Sequence, residues 1–207
     1  MAAPQVITEV SQIAAPSPKV ALNSAGLAVS GGVRWAPLGT ELPTDATTVL
    51  DPDEWVTLGR LSDTGVKRTE DRANTKIYDW GGNTIAILQT QFGIMLDFDL
   101  LQVMNEDVQR AAHGEDNVDV EDATAAHGHR ISTKINAQLL DTGVWVFDSF
   151  YQRMNGRLVL PYARPTKVQG PDWTHKSIAS FKLTVESMPD NDGNHAFEYW
   201  DDGRKTT

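Results

Sequence analysis

Asp97 and Asp99 are the residues of this chain whose type and spacing most suggest chemistry. Two carboxylates two apart on an extended strand share a face, and paired carboxylates can carry general acid–base work. That work needs the two groups in opposed environments and a pocket. Both lie in one open run, MLDFDLL, so the pair reads as a charged wall rather than an acid and a base. His127 and His129 also share a strand face, with His113 upstream, which raises a metal site. No third ligand has a determined spacing, and solvated histidines at a loop entry fit better. Residues 115–122, EDNVDVED, match a calcium loop in acidity only, since the glycine required at the sixth position is missing. The glycines of GGVRWAP and WGGN fit neither dinucleotide nor P-loop spacing, and no serine sits in a nucleophile elbow. The chain has no cysteine, which excludes disulfides, thiolate metal sites and cysteine catalysis. The expectation is a protein that is not an enzyme and uses no cofactor or metal.

The elements that must position Asp97 and Asp99 are two strands laid end to end, residues 84–89 and 92–103. In the second, Phe92, Ile94, Leu96, Phe98 and Leu100 fall on one side under period-2 alternation and must be core. Met95, Asp97, Asp99 and Leu101 fall on the other, which looks into water or a wet channel. Asn105 is an N-cap followed by Glu106 and Asp107, which suit a helix N-terminus. A short helix over residues 106–113 then ends at Gly114.

The remaining chain reads as strands and turns. Strands are expected at 31–37, 55–61, 66–72, 76–80, 129–139, 144–152, 157–164, 177–186 and 195–200. Turns are expected at 62–65, 81–83, 141–143, 154–156 and 189–194, with a loop over 165–176. In the strand over 129–139, Ile131, Ile135 and Leu139 belong to the buried side; in that over 177–186, Ala179, Phe181, Leu183 and Val185 do. Residues 38–54 form a seventeen-residue loop, long enough within a compact domain to be functional. The fold class is mainly β, a sandwich or barrel with one short helix and a long loop after the first strand. Residues 1–30 form an N-terminal arm rich in Ala, Pro and Ser, 31–200 a single domain, and 201–207 a tail.

The chain has 207 residues, 40% of them hydrophobic, and a net charge of −10. That suits one folded core and opposes general nucleic-acid binding, which depends on Lys and Arg neutralising phosphates. Between residues 97 and 122 nine side chains are acidic (Asp97, Asp99, Glu106, Asp107, Glu115, Asp116, Asp119, Glu121, Asp122) and only Arg110 is basic. No apolar run approaches a membrane span, and the N-terminus lacks the basic and apolar regions of a secretory signal.

Residues 32–40 (GVRWAPLGT), 42–46 (LPTDA), 50–52 (LDP) and 55–66 (WVTLGRLSDTGV) resemble the major tail protein of long-tailed phages of actinobacteria. Proteins of that family typically open with a strand, an AP-G-T-LPTDA loop and a W/F-V-LG-IS-DGV strand and turn. The order of later elements over residues 31–200 is similar. The chain departs from the pattern at Ala112-His113-Gly114, where Tyr-Tyr-Gly is familiar, and in its longer N-terminal arm.

The resemblance implies a β-sandwich of tail-tube type that forms hexameric rings, stacked into a tube through which double-stranded DNA leaves. It implies as partners further copies of itself, a tape measure protein, a tail terminator and baseplate or tail-tip proteins, with no membrane. The location implied is the virion tail, assembled in the bacterial host cytoplasm. In that setting Asp97 and Asp99 would face the lumen, and Leu38, Thr40, Leu42, Pro43, Thr44, Asp45, Val49 and Leu50 would belong to a loop that reaches the next ring. If each of six copies lent four strands, about 24 strands at about 4.8 Å spacing would enclose a bore about 37 Å across at the backbone. An acidic wall repels phosphate, whereas a lysine wall would gain affinity by counterion release and stall the moving genome. Two other classes stay open at this point. One is another virion β-protein, such as a neck or capsid-decorating subunit. The other is a carbohydrate-binding or hydrolytic β-sandwich using Trp35, Trp55, Trp80, Trp173 and Trp200 as stacking platforms, against which Trp35 and Trp55 fall on expected core strands.

Overall fold

A computed structural model of the chain describes residues 32–171, 175–176 and 178–205. The arm over residues 1–30, and Trp173, lie outside the described residues. The protein is mainly β, with ten strands and one α-helix among them. The main sheet is antiparallel and runs β2 (Val56–Thr57), β1 (Val33–Pro37), β7 (Gly143–Tyr151), β8 (Met154–Gln169), β9 (Phe181–Ser187), β4 (Thr84–Leu100), β3 (Leu61–Tyr78). Long β8 is its spine. Its first half pairs with β7 and with β10 (Phe197–Asp201), and its second half with β9, across an irregularity between Pro165 and Lys167.

The β9–β4–β3 limb packs against β7. Phe98 of β4 meets Trp145 and Phe147 of β7 at ring distances of 6.1 and 5.4 Å. Leu96, Leu100, Leu160, Leu183 and Val185 complete the core between the limbs. The helix α1 (Glu106–His113) closes one end by burying Val108 and Ala112. Alternation along β7 sends Trp145 and Phe147 inward, while Val144 and Val146 enter a second cluster with Ala36, Trp55 and Val159 on the other side of the sheet. β7 is thus buried on both faces over its first half, as its large residues demand.

The helix follows its expected bounds. The Asn105 side chain accepts from the Asp107 amide at 2.9 Å, and Gly114 ends it with φ of 93°. The predicted core face of β4 is also found, with Leu96 and Leu100 fully buried.

Several boundaries differ from the sequence reading, each for a physical reason. The strands expected at 84–89 and 92–103 are one strand, because the break near Thr90 is only a bulge. Pairing jumps from Ala73–Gln91 to Asn74–Gln89, and the Thr90 hydroxyl donates to the Ala73 carbonyl at 3.2 Å. The turn expected at 62–65 lies within β3. Pairing jumps from Leu61–Leu100 to Val66–Phe98, so the extra residues bulge out, with Gly65 at φ of 68°. The strand expected at 55–61 shrinks to two residues.

The strand expected at 129–139 is confined to β6 (Arg130–Thr133), paired with β5 (Val118–Glu121). Beyond Thr133 the chain is drawn to Asn117, whose carbonyl accepts from the Lys134 amide and whose side chain accepts from Asn136, both at 2.8 Å. Ile135 and Leu139, expected inward, are therefore exposed. The hairpin turn expected at 154–156 falls instead at Gln152 and Arg153, between the paired Tyr151 and Met154, with Gln152 at φ of 55°. Asn155 and Gly156 are paired in β8, and Gly156 serves packing. A Cβ there would lie 2.4 Å from the Trp200 ring. The loop expected from 165 starts after Gln169, because the chain keeps pairing with β9 to Lys182.

Candidate assembly surfaces

β3 and β4 run on together after β9 has ended. The last β4–β9 pair is Ile94–Ser187, yet β3 and β4 stay paired out to Tyr78–Thr84. The free part is a two-stranded ribbon about 30 Å long. Its root is held at Phe92, with the Arg72 guanidinium 4.3 Å above the ring and His195 edge-on at 4.8 Å. Its tip is fixed by Asp79, whose carboxylate accepts from the Asn83 amide at 2.8 Å. The Asn83 side chain, donating at 3.0 Å, and then its backbone amide hold the Asp79 carboxyl below its ordinary range.

Both faces of this ribbon are exposed and both carry apolar side chains. Ile87 is 61% exposed on one face and Leu88 52% exposed on the other, Ile85 at a bulge in the pairing is 64% exposed, and Trp80 at the tip is fully exposed. A lone two-stranded ribbon is marginally stable in water, and contiguous exposed apolar groups mark an interaction surface. Sequence reasoning missed the arm because it split β4 in two. The signal was present: an apolar strand, TIAILQ, turned back against a polar one, RANTKI, with nothing nearby in sequence to cover either side.

Asp97 and Asp99 share a face, as expected, on the four-stranded surface β3–β4–β9–β8. Asp97 accepts from the Thr184 hydroxyl at 2.6 Å. The pairing register sets Lys67 opposite Asp97, Lys182 opposite Asp99 and Arg164 opposite Glu186. The surface is therefore charge-interleaved, and the two aspartates sit among cations. The other acids of residues 97–122 lie elsewhere. Around α1, Arg110 is 3.7 Å from Glu106 and 3.3 Å from Glu115, and burial raises the Asp107 carboxyl. On the β5–β6 hairpin, Lys134 meets Asp119 at 3.1 Å. His127 and His129 lie near Glu121 and Asp122 on that same hairpin, and His113 is on α1. Among the described residues, no three His, Asp or Glu side chains are grouped to hold a metal ion.

The loop over residues 38–54 is folded down on its own sheet. Leu42 and Leu50 pack on the cluster of Trp55, Val144 and Val159, and Pro43 is buried. Arg157, 5% exposed, donates to the carbonyls of Asp45 and Thr48 at 3.2 and 2.9 Å and to Asp148 at 2.7 Å. Arg34 donates to the same Asp148. Asp45 in turn accepts from the amides of Thr47 and Thr48, both at 2.6 Å. Of the residues expected to reach the next ring, the exposed ones are Leu38, Thr44 and Val49, the crest of the loop, the last 89% exposed. Trp35 is half-buried and Trp55 buried, so they form no aromatic platform with exposed Trp80 and Trp200.

No protein family matches the chain, and no curated protein does. Among solved structures, the cap that terminates the tube of the anti-feeding prophage is similar over 90% of this chain and 97% of its own, with 11% identity and a TM-score of 0.43. The baseplate of the anti-feeding prophage is similar over 84% of this chain and 97% of that chain, with 16% identity and a TM-score of 0.30. Both scores fall below the level at which a shared fold is shown.

Proposed function

We propose that this chain is a structural subunit of a phage-type tail tube that polymerises with copies of itself as stacked rings. The observation that carries this reading is the β3–β4 ribbon, whose apolar side chains on both faces have no cover among the described residues. The resemblance of residues 32–66 to major tail proteins supports it from the sequence side. The surface β3–β4–β9–β8 supplies the four strands per subunit that a closed bore of about 24 strands needs. In this reading β3 is a free margin that a neighbouring copy completes, which removes an edge hazard. The surface bearing Asp97 and Asp99 lines the bore. Its interleaved charges give DNA no continuous cationic track to hold. The crest at Leu38, Thr44 and Val49 contacts the next ring, positioned by Arg157. The role is structural, with no catalysis, and the other partners are the tape measure, terminator and tail-tip proteins.

The test is electron microscopy of the purified chain beside a variant with Ile85→Asp and Ile87→Asp. Rings or tubes from the parent and monomers from a still-folded variant support the reading. Tubes from both would reject it.

A further inference from the structure

An open cleft of about 720 Å³ lies between the bulged start of β3 and the ends of β7, β8 and β10. A cleft of that size takes in several side chains. Its floor is apolar, with Leu96, Phe147 and Leu158, and Trp200, itself 59% exposed, lines it as well. The charges around it balance, with Arg60, Arg68 and Arg157 against Asp63, Asp148 and Glu198. Arg68 meets Glu198 at 3.1 Å and Arg157 meets Asp148 at 2.7 Å. The cleft is thus an apolar recess with no net charge.

The β3–β4 ribbon is its counterpart in shape and charge. The ribbon tip carries Tyr78, 56% exposed, and the fully exposed Trp80. Over residues 73–90 the charged side chains are Lys76 and Asp79 alone, so the ribbon is neutral as well. Two copies of a chain with a net charge of −10 repel each other, and these two neutral apolar surfaces meet without opposing like charges. The ribbon cannot reach the cleft of its own subunit. Val66 lines the cleft, and Tyr78 lies twelve residues further along the same strand, about 40 Å away. We infer that the cleft of one copy receives the ribbon tip of another, with the Trp80 indole over Phe147 and Leu158 and beside Trp200. An aromatic pair there adds to the apolar burial. The contact joins two different surfaces, so it repeats from copy to copy and builds rings or stacks rather than closed pairs. The inference rests on the assembly reading and names the surface that covers the ribbon.

The test replaces Trp80 with the photo-reactive p-benzoylphenylalanine in the full chain and assembles an equal mixture of ordinary and isotope-labelled copies. After illumination, mass spectrometry should find mixed-isotope crosslinks from position 80 to residues 59–66, 147–158 or 196–201 of another copy. Crosslinks that fall elsewhere, or only within one copy, in particles that still assemble would overturn the dock and leave the assembly reading standing. A parent chain that stays monomeric at every concentration would overturn both. The variant Trp80→Asp, changed outside both core clusters, should weaken self-association at least about tenfold in sedimentation and leave the melting curve unchanged. Association as strong as the parent's would overturn the inference.

Discussion

Arg157 Nε donates to Asp148 Oδ1 at 2.7 Å from a side chain only 5% exposed, and the same guanidinium holds two carbonyls of the long loop. One cation thus ties β8, β7 and the loop over residues 38–54 together. Removing one partner of a buried ion pair leaves the other uncompensated. Arg157→Ala should cost about 3 kcal/mol, the low end of that range because Arg34 still serves Asp148. Arg157→Lys should recover only part, since an ammonium cannot match a fork that reaches four acceptor oxygens. Denaturant midpoints of the two variants check both statements.

Asp45 governs the loop's response to acid. Its carboxylate accepts from Thr48 and Thr47, which holds it far below its ordinary value of 3.8. A carboxyl depressed on folding contributes fully above its unfolded value, and that contribution is lost only as pH falls through the depressed one. At about pH 3 the loop should still be ordered and resist pepsin. Asp45→Ala should be cut within residues 38–54 under the same conditions, with the rest of the fold intact.

The apolar ribbon separates folding from assembly. Ile85→Asp with Ile87→Asp lies outside both core clusters. It should leave the thermal midpoint within a few degrees of the parent and leave the protein monomeric. Light scattering against concentration, beside a melting curve, measures both.

The crest of the loop can be probed without unfolding it. Deletion of residues 43–49 would remove buried Pro43 and the carbonyls bound by Arg157, so it confounds stacking with stability. Val49→Asp changes an 89% exposed side chain. It should give separate rings in negative stain where the parent gives tubes. Long normal tubes would remove the crest from the contact between rings.

Charge on the β4 surface should act on the genome rather than on the subunit. Asp97→Lys with Asp99→Lys leaves Lys67 and Lys182 opposite lysines, a cationic patch in place of a balanced one. Some stability is lost to like-charge pairing, on the order of 1 kcal/mol per pair. Tubes should still assemble while DNA ejection slows, and more so at low salt. Ejection kinetics on a phage carrying the variant decide this.

Much of this architecture is legible in the chain because local chemistry and final packing agree. Asn105 and Gly114 bound α1, and the period-2 run from Phe92 to Leu100 is the core strand. The failures occur where distant partners decide. Gly156 looks like a turn residue but is small because Trp200 lies on it. Ile135 and Leu139 alternate like core residues but are pulled out by Asn117. The interleaving of Asp97 and Asp99 with Lys67 and Lys182 depends on pairing register, and local residue order does not encode that.

The most direct test is cryo-electron microscopy of the purified chain, seeded with a tail-initiating fraction from the phage that the proposed function would make its source. The account predicts stacked rings with the β3–β4 ribbon buried between copies and Asp97 and Asp99 on the bore. A chain that stays monomeric beside those seeds, with the ribbon still in solvent, would contradict it.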